Sequence, residues 1–376
     1  MEEARRLGAA ELRVAGADLD LEGRRHMRES FSRGDLETWG YGDGYAEAAT
    51  APRRLLEDAR CVICIAVPYR TPSPAADPLS GRVSAYAWSR DYHATLRTML
   101  QALVQMLDAH AGRPVALAVC DTAPLGERAR AAAAGLGWVG KHTNLISPAA
   151  GSYVFLGEIV TSLDLPVDLP LRKTCGSCAR CVTACPTSAL RGDYTIDARR
   201  CIADLTQRTD PVPRELRAHV GEWVWGCDIC QAVCPPNEGA SLAGRQPFEP
   251  YETEVAAPDL VALLHLKSSE FKRRYRPTAM GWRGAAVLRR NAAIALGNKL
   301  DRSTVPALAS ALNGDPHPMV RGAAAWALGR IASPSALERL HAAAGTENDP
   351  GVRDEIEAAL RDAFGTAPAQ TPLEHL

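Results

Sequence analysis

Thr174-Cys175-Gly176-Ser177-Cys178-Ala179-Arg180-Cys181-Val182-Thr183-Ala184-Cys185-Pro186 spaces four cysteines by two, two and three residues and closes on a proline. A second group, Cys227-x2-Cys230-x3-Cys234-Pro235, is one cysteine short of the same run, and Cys201 can supply the missing thiol from upstream. The first spacing is that of bacterial ferredoxins, in which three thiolates hold one [4Fe–4S] cluster and the fourth reaches to the other. A pairing follows. Cys175, Cys178, Cys181 and Cys234 take one cluster; Cys185, Cys201, Cys227 and Cys230 take the second. Zinc is the alternative for any CxxC pair, but its sites rarely show this run before a proline.

The other three of the eleven cysteines sit differently. Cys61-Val62-Ile63-Cys64-Ile65-Ala66-Val67 is a continuous apolar run that reads as a buried strand, with Cys61 and Cys64 on opposite faces as small core residues. Cys120 ends a second run, Val115–Cys120, and Tyr153–Thr161 is a third. Helices are expected at Tyr92–Ala109 and Leu125–Ala134, the latter stopped by Gly135. Residues 1–165 thus read as an α/β domain. The Pro- and Leu-rich Leu163–Arg172 reads as a linker into a ferredoxin-like α+β insert over 166–245.

Residues 246–376 read as all-α repeats. Arg289-Arg290-Asn291-Ala292-Ala293-Ile294-Ala295-Leu296-Gly297 lines up with Arg321-Gly322-Ala323-Ala324-Ala325-Trp326-Ala327-Leu328-Gly329 at a shift of 32 residues, and a further shift reaches Val352-Arg353. This period, with small residues allowing close helix packing, marks a HEAT-like solenoid. The arginine at a fixed position of each copy is expected to line one edge. From Lys267 to Arg330 twelve Lys/Arg face only Glu270, Asp301 and Asp315, although the whole chain carries a net charge of −1. A basic stripe on a neutral chain points to a polyanionic partner such as a nucleic-acid backbone.

The 376 residues, 46% hydrophobic and 23% charged, exclude a disordered, collagenous or small disulfide-stapled chain. No apolar run reaches the ~18–20 residues of a membrane span, and no export signal is visible, so no membrane association and a cytoplasmic setting are expected.

Asp121 follows Val115–Cys120 directly, where a carboxylate at a strand's end can reach a ligand crevice. Its alternative role is a helix N-cap. Gly135, Gly137 and Gly140 crowd near Trp138, Lys141 and His142, a density that lets backbone approach a flat ligand. Asp91-Tyr92-His93 begins like the D-x-H-x-x-G box whose histidine ligates cobalt in base-off cobalamin enzymes, but Leu96 stands where the glycine belongs. Asp91 is therefore read as a helix cap and His93 as a first-turn residue.

Taken together, the sequence resembles the epoxyqueuosine reductases from about Pro52 to near the C-terminus. The resemblance rests on Arg90-Asp91-Tyr92-His93, Asp121-Thr122, Ala134-Gly135-Leu136-Gly137-Trp138-Val139-Gly140-Lys141, the eight cysteines with Trp225-Gly226-Cys227-Asp228, and the tail with Arg290-Asn291. It implies a reductase that converts epoxyqueuosine to queuosine at the tRNA wobble position. Electrons would pass through two [4Fe–4S] clusters to a cobalamin held on the N-terminal domain. It further implies Asp121 as the proton donor, with a raised pKa. Ser84, Leu145, Leu156, Ile202 and Asp228 match corrinoid-contacting positions, and the tail matches the part that grips the anticodon arm, where Arg283, Arg290, Asn291 and Arg321 would meet the tRNA. An external electron donor and a monomer are expected. Ala49 departs from the family's usual arginine near the cofactor, and residues 1–51 match poorly. Two rival readings are a corrinoid reductive dehalogenase-like enzyme and an iron–sulfur electron carrier with a HEAT docking arm. The visible spectrum and RNA binding separate them.

Overall fold

The computed structural model describes residues 2–75, 77–238 and 248–364. The expected boundary at 245/246 lies outside them. Eight strands run in chain order: β1 (Glu11–Gly16), β2 (Cys61–Pro68), β3 (Arg82–Val83), β4 (Ala116–Val119), β5 (Trp138–Val139), β6 (Leu145–Ile146), β7 (Val154–Thr161) and β8 (Trp223–Trp225). The central sheet has the order β1-β2-β7-β4.

The apolar run at β2 forms the strand its composition demands, buried at each position from Cys61 to Val67. Ile63, Ile65 and Val67 pack on one face with Leu96 and Leu100 of helix α1 (Tyr92–Ala111). Val62, Cys64 and Ala66 pack on the other with Ala131 of α2 (Glu127–Ala133) and Leu136. Helices therefore cover both faces. Each pairing in this sheet is antiparallel, β1 on β2, β2 on β7 and β4 on β7. The crevice rule for parallel sheets consequently does not explain Asp121's position. β1 falls in the segment from which the sequence reading drew no strand; its Leu12 and Val14 alternate with polar neighbours and pack on the core.

Asp91 caps α1 as expected, accepting from the His93 N–H at 3.1 Å. Gly135 stops α2 with φ 74°, and a Cβ there would stand 2.2 Å from the Leu169 carbonyl of the linker. The iron–sulfur segment is built on single turns at Arg180–Ala184, Ile202–Leu205 and Ile229–Ala232. It is joined to the N-terminal domain by the parallel pairing of β3 and β8.

The tail stacks α3 (Ala285–Lys299), α4 (Val305–Gly314), α5 (Pro318–Ile331), α6 (Pro334–Ala344) and α7 (Pro350–Phe364). The small residues act as the 32-residue period requires. Gly297 faces Ala327 and Gly329 faces Ala359, and a Cβ at either glycine would lie within 2.9 Å of the neighbouring helix. Close helix approach there leaves room for nothing larger.

Candidate active site and iron–sulfur centre

Asp121 stands just beyond β4 with φ 49°, in the left-handed region where Asp and Asn are tolerated best. It does not cap α2, whose N-cap is Gly126. Its Oδ2 accepts from the Tyr92 hydroxyl at 3.1 Å and lies 2.8 Å from His93 Nε2. The other ring nitrogen, Nδ1, lies 2.6 Å from Asp91 Oδ1. The first turn of α1 thus delivers a Tyr and a His onto one carboxylate. Tyr92 is fixed in turn by stacking on Phe155, with centroids 4.3 Å apart and planes 7° apart.

The electrostatics follow from this contact set. Burial alone lowers the imidazole's pKa, but hydrogen bonds to Asp121 and Asp91 outweigh it and raise His93 to about 9. The hydrogen bond from His93 holds Asp121 below the ordinary carboxylate range, against the opposing effect of partial desolvation at this half-exposed side chain. The expected raised pKa is therefore corrected: near neutral pH this is a carboxylate–imidazolium pair holding one transferable proton. Behind it, the Asp121 N–H donates to Glu127. Burial raises Glu127 to about 7 and raises its fully buried neighbour Glu158 as well.

His142 is buried and burial lowers its pKa to about 4, so it stays neutral. The glycines around it serve packing: a Cβ at Gly137 would lie 2.4 Å from the Ile146 carbonyl, and one at Gly140 2.8 Å from the His142 ring.

Among the candidate cofactor contacts, Ser84 donates to Asp228, and the Ala85 N–H donates to the same carboxylate at 2.8 Å. Burial pushes Asp228 up to about 6. Leu145 and Leu156 share the apolar cluster on one side of the sheet, and Ile202 belongs to the other. Ala49 is buried.

The eight thiols fall into two neighbourhoods. Burial pushes Cys234 up to about 12, with the nearby Cys175, Cys181 and Cys178 adding to the shift. Burial likewise raises Cys230, whose surroundings include Cys201 and Cys185, and Cys227, which faces Cys201 and Cys230. Cys181 of the first set also stands near Cys230 of the second, so these neighbourhoods overlap and the expected division into two sets of four stays a proposal. The Lys141 N–H donates to Cys175 Sγ at 3.4 Å, a contact that would stabilise a thiolate. Among the described residues no three such side chains converge on one point that a single ion could hold. A cubane, which takes each thiolate on a separate iron, does not need them to.

The tail corrects three expected tRNA contacts. Arg290 is 1% exposed and donates to the carbonyls of Leu205, Arg208 and Asp210 and to Asn291 Oδ1. Asn291, also 1% exposed, donates to the carbonyls of Thr206 and Val224. Both tie the tail to the iron–sulfur segment. Arg321 forms a two-pronged pair with Glu347, and 32 residues earlier Arg289 pairs with Asp315 in the same way. Two of the three periodic arginines are thus spent inside the solenoid, while Arg353 of the third copy is exposed. Arg283 is half-buried, stacked over the exposed Trp282, and makes no ion pair among the described residues.

The relay itself was only half legible. Asp91 and His93 are neighbours in sequence, but Asp121 lies 28 residues from His93, and no local pattern joins them.

Comparison with known proteins fits this architecture. Residues 174–237 match the model of the 4Fe-4S double cluster binding domain and 284–361 that of HEAT repeats, while 50–122 match "Epoxyqueuosine reductase QueG, DUF1730". The epoxyqueuosine reductase of Bacillus anthracis is 37% identical over 327 residues, covering 85% of this chain and 86% of the relative. That of Bacillus subtilis is 36% identical, covering 86% of each. A crystal structure of epoxyqueuosine reductase with an epoxyqueuosine-modified tRNA-Tyr stem loop matches with a TM-score of 0.88 at 33% identity, over 96% of both chains. Fold and site define an iron–sulfur oxidoreductase with a helical-repeat tail. At this identity and coverage, the chain belongs to the epoxyqueuosine reductase family.

Proposed function

We propose that this chain reduces epoxyqueuosine to queuosine at the wobble position of tRNA, as a cytoplasmic monomer supplied by an external electron donor. The observation that carries the reading is the contact of Asp121 with His93, a proton store at the end of a strand beside a two-cluster segment. A relative solved with a modified tRNA stem loop supports the substrate.

The residues fit a bound cobalamin. Ser84 and Asp228 form a buried polar pair, Ile202 lies in the larger apolar cluster and Leu145 with Leu156 in the smaller one, and Trp138 Nε1 is buried without a protein acceptor. When bound, cobalamin supplies the reducing chemistry that clusters alone, passing electrons singly, do not. Removing the epoxide oxygen as water takes two electrons and two protons. The His93 imidazolium passes its proton through Asp121 to that oxygen, and solvent supplies the second proton by reprotonating the imidazole. Tyr92 and Asp91 hold the acceptor and the imidazole in line. The wobble nucleoside lies in a single-stranded loop, so reaching Asp121 breaks no duplex.

The test is anaerobic turnover of an epoxyqueuosine-containing stem loop, read by nucleoside mass spectrometry. Queuosine should appear. Its absence with protein that carries both clusters and corrinoid overturns the reading.

A further inference from the structure

Segment 37–45 belongs to the poorly matching N-terminal stretch, and it carries an aromatic surface that the proton relay does not use. Trp39 stacks on Trp282 from the tail, with ring centroids 5.7 Å apart and planes 22° apart. Trp282 is 53% exposed, where an indole kept for packing would be covered. The Arg283 guanidinium lies 3.6 Å from the Trp282 ring centroid and 5.9 Å from that of Trp39. Its Nε is buried without a partner, while the group stays over an open ring face.

The same segment runs to the relay. Two residues beyond Trp39, Tyr41 stacks on Tyr45 with centroids 4.3 Å apart. Tyr41 stands near enough to Asp121 for that carboxylate to raise its phenol further, beyond the effect of burial. On the other side Gly281 packs against the Arg276 carbonyl. Exposed Arg276, with Lys272 and Arg273 just before it, makes no ion pair among the described residues. Trp39, Trp282 and Arg283 therefore offer flat π-faces and a stacked guanidinium, with exposed cations at Lys272, Arg273 and Arg276 on the same stretch of the tail. Unpaired bases of RNA are held by this chemistry, stacking on aromatic and guanidinium planes beside charges that follow the backbone.

We propose that Trp39, Trp282 and Arg283 form a stacking platform for an unpaired nucleobase of the anticodon loop, adjacent to the nucleoside presented to Asp121. The inference rests on the reading of epoxyqueuosine in tRNA as substrate. The platform takes the neighbouring base through its ring face, so it fixes the loop's position without reading base identity. Arg283, held over the Trp282 ring, presents its N–H groups to the adjoining phosphate.

The experiment pairs protein variants with altered stem loops. Trp282→Ala and the double variant Trp39→Ala/Trp282→Ala are assayed with an epoxyqueuosine stem loop, and with the same loop made abasic at the nucleotide on either side of the modified one. In the double variant affinity should fall roughly tenfold or more, with the loss carried by KM rather than kcat. Trp282→Phe should restore most of it. One abasic position should weaken binding to the wild type by a similar factor yet cost the double variant little. Tryptophan fluorescence should be quenched on titration of the wild type and not of the double variant. Unchanged affinity in the double variant, or an equal abasic penalty for both proteins, overturns the platform while the substrate reading stands. Failure of the wild type to bind or turn over the intact stem loop overturns both.

Discussion

His93 Nε2 stands 2.8 Å from Asp121 Oδ2, and this contact sets which group holds the proton in the resting protein. A carboxyl alone, with an ordinary pKa, would be ionised at pH 7 and unable to protonate a departing oxygen. Bound to an imidazolium raised to about 9, it has a reserve that outlasts neutral pH.

Asp121→Asn should keep the left-handed backbone that φ 49° requires, because Asn adopts it readily. It cannot pass on a proton. Single-turnover product formation should fall by ~10²–10⁴. Because Gly126 and not Asp121 caps α2, the loss of thermal midpoint should come only from the broken pair with His93 and should shrink as pH rises through 9. Near-normal turnover in the Asn variant would remove Asp121 from the chemistry.

His93→Gln should change the pH dependence of both stability and rate. The imidazole's pKa is raised from its ordinary 6.5 to about 9, so its contribution to folding is complete below about pH 6.5 and disappears as pH rises through 9. The denaturation free energies of wild type and variant should differ most at pH 6 and converge by pH 9.5. The alkaline limb of the wild-type rate should be displaced in the variant. Parallel stability curves across this range would contradict the assignment.

Cys201→Ala and Cys234→Ala should each remove one cluster of two. Anaerobic iron content should drop from about eight to about four per chain in both, leaving different clusters behind. Electron paramagnetic resonance of the reduced proteins should then give two distinct spectra. Identical residual spectra would break the pairing.

Arg290→Met should leave the carbonyls of Leu205, Arg208 and Asp210 without their donor and cost ~3 kcal/mol or more, measured by chemical denaturation. Once folded, it should bind tRNA with an unchanged salt slope. Lys272→Ala/Arg273→Ala should do the reverse, keeping stability and flattening that slope by roughly one to two units. A reduced slope in Arg290→Met would return that residue to the tRNA surface.

What could be read from sequence was local. The cysteine sets were legible because cluster ligation imposes short, fixed spacings, and the Asp91 cap because its partner lies two residues away. β2 was legible because burial on both faces demands an unbroken apolar run. The tail's period was equally plain, yet Arg290, Asn291 and Arg321 were misplaced. Charge is visible in a sequence, but the Leu205 carbonyl and the Glu347 carboxylate that absorb it come from distant or out-of-register residues. The His93 contact with Asp121 and the stacking of Trp39 on Trp282 exist only once separate segments are brought together.

Arg290 and Asn291 have a consequence for how this chain can be altered. Between them they bond backbone carbonyls at residues 205, 206, 208, 210 and 224, all in the segment that carries the cysteines. Backbone carbonyls cannot be exchanged by mutation, so the joint depends on shape, and no compensating side chain can replace it. Grafting the helices of another solenoid after residue 284 would discard the plug while keeping its socket. Such a hybrid would hold its iron–sulfur segment and its helical tail at an undefined spacing. The tail is a keyed part of the reductase rather than a detachable adaptor.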